Sequence, residues 1–246
     1  MKPVPFTKMS GVGNDFIIVD NRNGILDDIE VAEFARRVCA RRVSLGGDEL
    51  MVIEAPRSGG DFLMRTFNPD GNEVKMCGNA ARCVARYAYS HAIAGERMTI
   101  DTLGGAVIAW VDGEMARVQL QITSPPVFQR EMNLQGENLT LHALEISGTP
   151  HVVVHLADAQ NASGEWIQRV GAFIRYHESF PEGTNVNFIQ VIDRHNLWQR
   201  TYERGVEGET LACGTGAAAS SVISHLLGMV DSPVVVKVLG GELSIS

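Results

Sequence analysis

The chain states one short pattern twice. Glu73-Val74-Lys75-Met76-Cys77-Gly78 and Glu209-Thr210-Leu211-Ala212-Cys213-Gly214 share a Glu, three intervening residues and a Cys-Gly, 136 positions apart. In both copies an Ala-rich segment of helical character follows. The same offset relates Gly47 to Gly183, Ile53 to Ile189, Ala81 to Ala217, Leu103-Gly104-Gly105 to Leu239-Gly240-Gly241, and Phe62–Asn68 to Trp198–Arg204. Near the start the register slips by one, so that Gly13-Asn14-Asp15-Phe16 lies over Gly148-Thr149-Pro150-His151. One or two such matches would mean little; an ordered series along the whole chain indicates an internal duplication. Two like halves, residues 1–130 and 131–246, are expected to pack about a pseudo-twofold axis, with equivalent loops meeting at the cleft between them.

At 246 residues, each half is long enough to bury its own core. Strands are expected at Phe6–Ser10, Phe16–Asp20, Glu49–Glu54, Phe62–Asn68 and Met98–Thr102. A helix is expected from Asp27 to about Arg42, on the spacing of Ile29, Ala32, Phe34, Ala35 and Val38. Asn68-Pro69-Asp70-Gly71 is a strong turn signal, and Asp112-Gly113 marks a second hairpin. The amphipathic helix recurs at Ser163–Ser179. The first half continues through Trp110 into a strand at Ala116–Thr123. The equivalent of Trp110 is Ser246, so the second half is expected to lack the counterpart of that strand.

The formal charge of −8 argues against a nucleic-acid surface, which needs clustered Lys and Arg. The basic cluster Arg36-Arg37 with Arg41-Arg42 reads as a solvated helix face. No apolar run reaches the roughly 18 to 20 residues of a membrane span, and the first residues lack the apolar core of a signal peptide. The expected location is the cytoplasm. Four cysteines without tight spacing, Cys39, Cys77, Cys83 and Cys213, suit a reducing compartment.

Two thiols at two like helix N-termini suit inversion at a carbon acid, where one face loses a proton and the other gains one. A free thiol titrates near roughly 8.5, and lowering it by one unit takes about 1.4 kcal/mol. A helix dipole supplies about 0.3–1 kcal/mol, so the N–H groups of Gly78, Asn79, Gly214 and Thr215 must add to it. Two thiolates in one small cleft repel, and the pair is expected to share one proton. The same N–H groups suit a substrate carboxylate. None of Lys2, Lys8, Lys75 and Lys237 lies in a recognisable pyridoxal setting, and no metal-ligand cluster is evident, so no cofactor is expected. Other readings stand beside these. Cys39 and Cys83 read as small apolar fillers. Cys77 and Cys213 can also be read as structural thiols or as a regulatory disulfide, a dithiol redox switch. Glu73 and Glu209 can serve the helix dipole or the chemistry, and a lone histidine on a strand, His151, can be a satisfied core residue.

At these residues the chain resembles the diaminopimelate epimerase family. The likeness rests on Met9 with Gly11-Val12-Gly13-Asn14-Asp15-Phe16, Phe67-Asn68-Pro69-Asp70-Gly71, Met76-Cys77-Gly78-Asn79-Ala80-Ala81-Arg82-Cys83, Pro150-His151, Asn185, Tyr202-Glu203-Arg204-Gly205, and Glu209-Thr210 with Ala212-Cys213-Gly214-Thr215-Gly216-Ala217. It implies an α/β (α+β) fold of two similar halves, each a β-sheet wrapped around a central helix, with the Ala-rich post-cysteine helices as those centres. It also implies pyridoxal-independent conversion of LL- to meso-diaminopimelate, an amino-acid substrate, and a homodimer to which a C-terminal segment absent here contributes. Cys77 and Cys213 match the family's acid/base thiols. Asn14, Asn68, Asn185, Glu203 and Arg204 match substrate-contacting positions, and Gly78-Asn79 and Gly214-Thr215 the amides at the reacting end. His151 and Glu203 match positions that tune the thiols. Thr149 stands where many relatives have Asn, and Glu49 where several have Gln; both would face the distal half of the substrate. A related racemase acting on a proline-like or histidine-like amino acid is the neighbouring reading.

Overall fold

The computed structural model describes residues 3–134 and 137–246. Their contacts divide the chain into two compact units, Met1–Gln119 and Leu120–Ser246.

The first unit runs β1 (Thr7–Gly11), β2 (Asn14–Asp20), α1 (Val31–Cys39), β3 (Glu49–Glu54), β4 (Phe62–Phe67), β5 (Glu73–Val74), α2 (Gly78–Ser90), β6 (Arg97–Asp101), β7 (Val107–Asp112) and β8 (Met115–Val118). Its sheet has the order β1-β2-β3-β4-β6-β7-β8, with β5 hung on β4. The β2–β3 and β4–β6 pairs are parallel and the rest antiparallel. Phe16–Val19 and Leu50–Ile53 are buried on both faces, which is why these strands read as continuous apolar runs rather than alternating ones. One face carries α1 over Ile17, Val19, Leu50 and Val52. The other closes over α2, which meets β1 and β2 at one margin and β7 and β8 at the other. The small Ala80, Ala81, Ala85 and Ala88 let the strands approach the helix from these several sides.

The second unit repeats the plan. Its elements are β9 (Val127–Leu134), β10 (Glu137–Ile146), β11 (Thr149–His155), α3 (Gly164–Arg175), β12 (Asn185–Asp193), β13 (Asn196–Glu203), β14 (Gly208–Thr210), α4 (Gly214–Leu226), β15 (Val234–Val238) and β16 (Gly241–Ile245). The strand order is β16-β15-β13-β12-β11-β10-β9, with β14 on β13. α4 is the enclosed helix, packed on β10 to β13, β15 and β16, and α3 lies against β12, β13 and β14.

Pairing registers carry the duplication residue by residue. Phe16 pairs with Glu49 as His151 pairs with Asn185, and Met51 pairs with Thr66 as Asn187 pairs with Thr201. In β4 the offset is one position shorter than the constant spacing predicts, because Glu73 lies opposite Phe67 while Glu209 lies opposite Tyr202. Asn68 therefore corresponds to Glu203, not to Arg204.

Three expectations are corrected. The first helix starts at Val31 rather than Asp27, because Glu30 caps it through Glu33 N while Asn21 Oδ1 takes the Leu26 N–H and holds the preceding residues in turns. It ends at Cys39, so Arg41 and Arg42 lie beyond it. The strand expected over Ala116–Thr123 splits. Its first part is β8, while Ile122 bridges to Ile146 in the second unit. Each unit has eight strands, but the eighth differs: β8 extends one margin of the first sheet, and β9 extends the opposite margin of the second.

Gly171 marks a close helix-to-strand approach, since a methyl there would sit 2.5 Å from Tyr202 Cβ. Gly171→Ala is expected to lower stability by about 1–3 kcal/mol through overpacking, read as a lower urea midpoint with unchanged slope.

Candidate active site

Each unit carries its own copy of one constellation. Cys77 is the N-cap of α2 with φ −127° and ψ 120°, and Cys213 the N-cap of α4 with φ −130° and ψ 109°. The first backbone bonds returned to these caps come from Ala81 N and Ala217 N, so the N–H groups of the first three helical residues have no intrahelical partner. The parallel starts of β2 and β3, the far end of antiparallel β4 and the N-terminus of α2 all fall at one end of the first sheet. The same four places in the second unit hold Thr149, Asn185, Glu203 and Cys213.

The short strands that deliver the cysteines are clamped by arginine. Arg65 on β4 donates to both oxygens of Glu73 on β5, at 2.7 and 2.8 Å, and also reaches Glu54 at 3.2 Å. Arg200 on β13 donates to both oxygens of Glu209 on β14, through Nη2 at 2.7 Å and through Nε. The pairing holds both guanidinium groups firmly protonated. Glu73 and Glu209 are thus cross-strand ion-pair partners, not first-turn companions of the helix dipole.

In the first unit Asn79 Nδ2 donates to Asn14 Oδ1 at 2.8 Å, and Arg82 Nη2 donates to Asn79 Oδ1 at 2.6 Å. Asn14 Nδ2 donates to Asp48 Oδ2 at 3.2 Å, and Arg41 holds Asp48 Oδ1 at 2.8 Å while also gripping Asp15. Lys8 joins Asp15 at 2.9 Å, and the two cations hold the Asp15 carboxyl down at about 2 although burial opposes them. Arg41 therefore orients the Asn14 loop rather than continuing a solvated helix face; Arg36 and Arg37, exposed and paired with Glu33, do form such a face. Glu49 opens β3 and Asn68 follows β4, both half-buried.

In the second unit Asn185 Oδ1 accepts the Arg204 N–H at 2.7 Å, and Arg204 Nη1 donates to Glu182 O at 3.0 Å. Cys213 is 4% exposed, and its Sγ lies 3.6 Å from Thr215 Oγ1. Burial pushes this thiol up to about 12, Glu203 adds to the rise, and the Thr215 hydroxyl and the amides of Gly216 and Thr215 oppose it. The expectation of an eased thiolate fails here for a stated reason: desolvation outweighs the helix terminus. The amides acting on Cys213 are those of Thr215 and Gly216 rather than Gly214, because a capping side chain faces the second and third helical N–H groups. Cys39 and Cys83, the expected fillers, are buried in apolar surroundings, and burial pushes both thiols up to about 11.

A model of the family described as diaminopimelate epimerase matches residues 6–127 and 144–246. The chain belongs to the diaminopimelate epimerase family. It is similar to the diaminopimelate epimerase of Aquifex aeolicus (39% identical, covering 97% of this chain and 88% of that one). It is likewise similar to that of Methanothrix thermoacetophila (38% identical, 100% and 90% covered). Among solved structures, a probable proline racemase from Agrobacterium radiobacter superposes with a TM-score of 0.67 at 15% identity, over 98% of this chain and 84% of that one. A phenazine biosynthesis protein of the PhzF family from Bacillus anthracis gives 0.66 at 13%, over 98% and 88%. These two likenesses show the shared fold of two sheet halves.

One residue of this family member's constellation escaped the sequence reading. Asn187 is fully buried, donating to Val152 O at 3.0 Å and to His151 Nδ1 at 3.2 Å and accepting from Thr201 Oγ1 at 3.1 Å. Its signal was the alternation Asn185-Val186-Asn187, which puts two amides on one face of a strand. His151 is not the satisfied core residue that one reading of the sequence allowed. It is 1% exposed, and only one of its ring nitrogens has a partner among the described residues.

Burial and the nearby Arg204 charge hold His151 down at about 3, against an ordinary 6.5. The unfolded chain therefore takes up a proton that the folded one refuses, so stability is complete above about 6.5 and falls with pH toward 3. The loss is at most about 1.4 kcal/mol per pH unit for this residue. Urea titrations at pH 7 and pH 5 should show that decline, reduced in His151→Gln. Glu209→Gln strands the buried Arg200 and is expected to cost about 3–5 kcal/mol, checked in the same titration.

Proposed function

We propose that this chain interconverts LL- and meso-2,6-diaminopimelate, a step toward lysine and peptidoglycan precursors, without pyridoxal phosphate and with Cys77 and Cys213 as the acid/base pair. One observation supports this above the rest: two thiols cap two equivalent helices with nearly the same backbone angles. In the forward step one thiolate takes the α-proton, the C–H bond breaks and an S–H bond forms. The electron pair left behind spreads into the α-carboxylate. The opposite thiol then releases its proton to the other face of the carbon, which forms the inverted C–H bond and leaves a thiolate. The pair ends in the mirror protonation state, ready for the reverse direction.

The remaining residues take supporting roles in this proposal. The N–H groups that open α2 and α4, at Gly78, Asn79, Gly214 and Thr215, receive the reacting carboxylate as it gathers charge. Arg204, with Asn14, Asn68 and Asn185, holds the distal ammonium and carboxylate of a long diacid through charge-assisted bonds. Glu49 and Thr149, at places equivalent to Asn185 and Asn14, set the fit at that distal end. His151 and Glu203 tune Cys213. The free thiol climbs to about 12 when buried, so entry of the substrate ammonium, a positive charge beside the sulfur, is what brings a thiolate within reach.

Exchange of the α-proton into heavy water tests the assignment. Cys77→Ala and Cys213→Ala are each expected to lose at least about 100-fold in exchange rate. Parent rates in both variants would end the two-thiol mechanism. Arg204→Met should raise KM, with kcat/KM down roughly 10- to 150-fold. Activity on single-ended amino acids alone, with none on LL-diaminopimelate, would move the chain to the neighbouring racemase reading.

A further inference from the structure

The described hydrogen bonds fix the proton on His151. Asn187 has two amide hydrogens; one goes to Val152 O at 3.0 Å and the other to His151 Nδ1 at 3.2 Å. Turning the amide over would set its oxygen against the Val152 carbonyl and its nitrogen against Thr201 Oγ1. The Val152 carbonyl can only accept, so it alone settles the amide's orientation, and Thr201 Oγ1 gives its hydrogen to Asn187 Oδ1 at 3.1 Å. The donors point one way, from Thr201 through Asn187 to the ring. Nδ1 can only accept, so the neutral imidazole carries its hydrogen on Nε2. That Nε2 is buried and has no partner among the described residues. Aligned donors of this kind polarise one another, which strengthens the last one.

The chain of donors also comes near the Cys213 sulfur. A methyl group at Gly216 would sit 2.2 Å from Asn187 Oδ1 and 3.2 Å from Cys213 Sγ, so the amide and the thiol flank the same small volume over the first turn of α4. Nothing like this exists at the equivalent places of the first unit, where Phe16 stands for His151, Met51 for Asn187, and Thr66 donates to the Met51 sulfur at 3.5 Å.

Building on the reading of Cys213 as an acid/base thiol, we propose that Asn187 is a positioning residue. With Thr201 behind it, it locks His151 as the Nε2–H tautomer, so that the buried ring nitrogen left without a protein partner among the described residues is an N–H donor rather than a bare acceptor.

The test has two independent readouts. Ring ¹⁵N shifts of histidine-labelled protein, with His151 assigned by its loss in His151→Gln, should show the Nε2–H pattern in the ligand-free parent. They should show a mixed or Nδ1–H pattern in Asn187→Met, which installs the first unit's residue. α-Proton exchange by Asn187→Met should fall about 10-fold or more in kcat with a much smaller change in KM. Thr201→Val should follow it in part, and Thr201→Ser, which keeps the hydroxyl, should behave as the parent. A parent tautomer of the Nδ1–H kind, or an Asn187→Met variant with parent tautomer and parent kcat, overturns the proposal. A parent protein with the Nε2–H pattern but no activity on diaminopimelate would leave the lock standing and remove the function it was argued to serve.

Discussion

The constellations depend on where two short strands are held. β5 and β14 make only two or three residues of ladder each, too little to place anything by main-chain pairing alone. The forked Arg65–Glu73 and Arg200–Glu209 contacts fasten them to β4 and β13, and a planar guanidinium meeting both carboxylate oxygens fixes direction as well as distance. Three residues further on the chain must turn into a helix, and the cysteine takes the capping position by spacing. The Glu-to-Cys interval of the repeated sequence pattern is the length of chain needed to go from clamp to cap.

Equivalent backbones do not give the two thiols equivalent surroundings. Around α2 the first core is apolar, with Val84, Ala85 and Ala88 facing inward. The same helical positions in α4 are Ser220, Ser221 and Ser224, all buried, and the strands beneath add Asn187, Gln199 and Thr201. The second core thus accepts the cost of more buried polar groups than the first, and one of them, Asn187, lies close to Cys213 across Gly216. The Cys213 thiol, deep and beside Glu203, is pushed up by that burial. Under the proposed two-thiol reaction, such an arrangement would tie reactivity to occupancy, because the substrate's positive charge would be what eases the proton off.

Much of this was legible in the sequence because it sits in short, local patterns. The duplication, the cysteine pair, the strand at Glu49–Glu54 and the turn after Asn68 are all set by neighbours within a few residues. What stayed hidden depends on pairing across strands. Nothing near Glu73 or Glu209 in sequence announces Arg65 or Arg200. A one-residue shift in β4 cannot be seen by sliding the chain over itself, yet it decides that Asn68 answers to Glu203. Arg41 looked like part of a helix because its spacing fits one; only the fold shows the chain leaving the helix at Cys39, so that the side chain turns back to Asp15 and Asp48. The rise in the Cys213 value was missed for a different reason: a helix terminus can be read from sequence, but the depth at which it is buried cannot.

The eighth strand, added on opposite margins in the two sheets, shows which parts of the plan are negotiable. An enclosed helix must be roofed on every side or its alanines meet water, and a curled sheet can finish the roof from whichever border has chain to spare. Shelter for the central helix is thus the fixed requirement, while the lender of the last strand is free to change, and two descendants of one ancestral half have settled that loan differently.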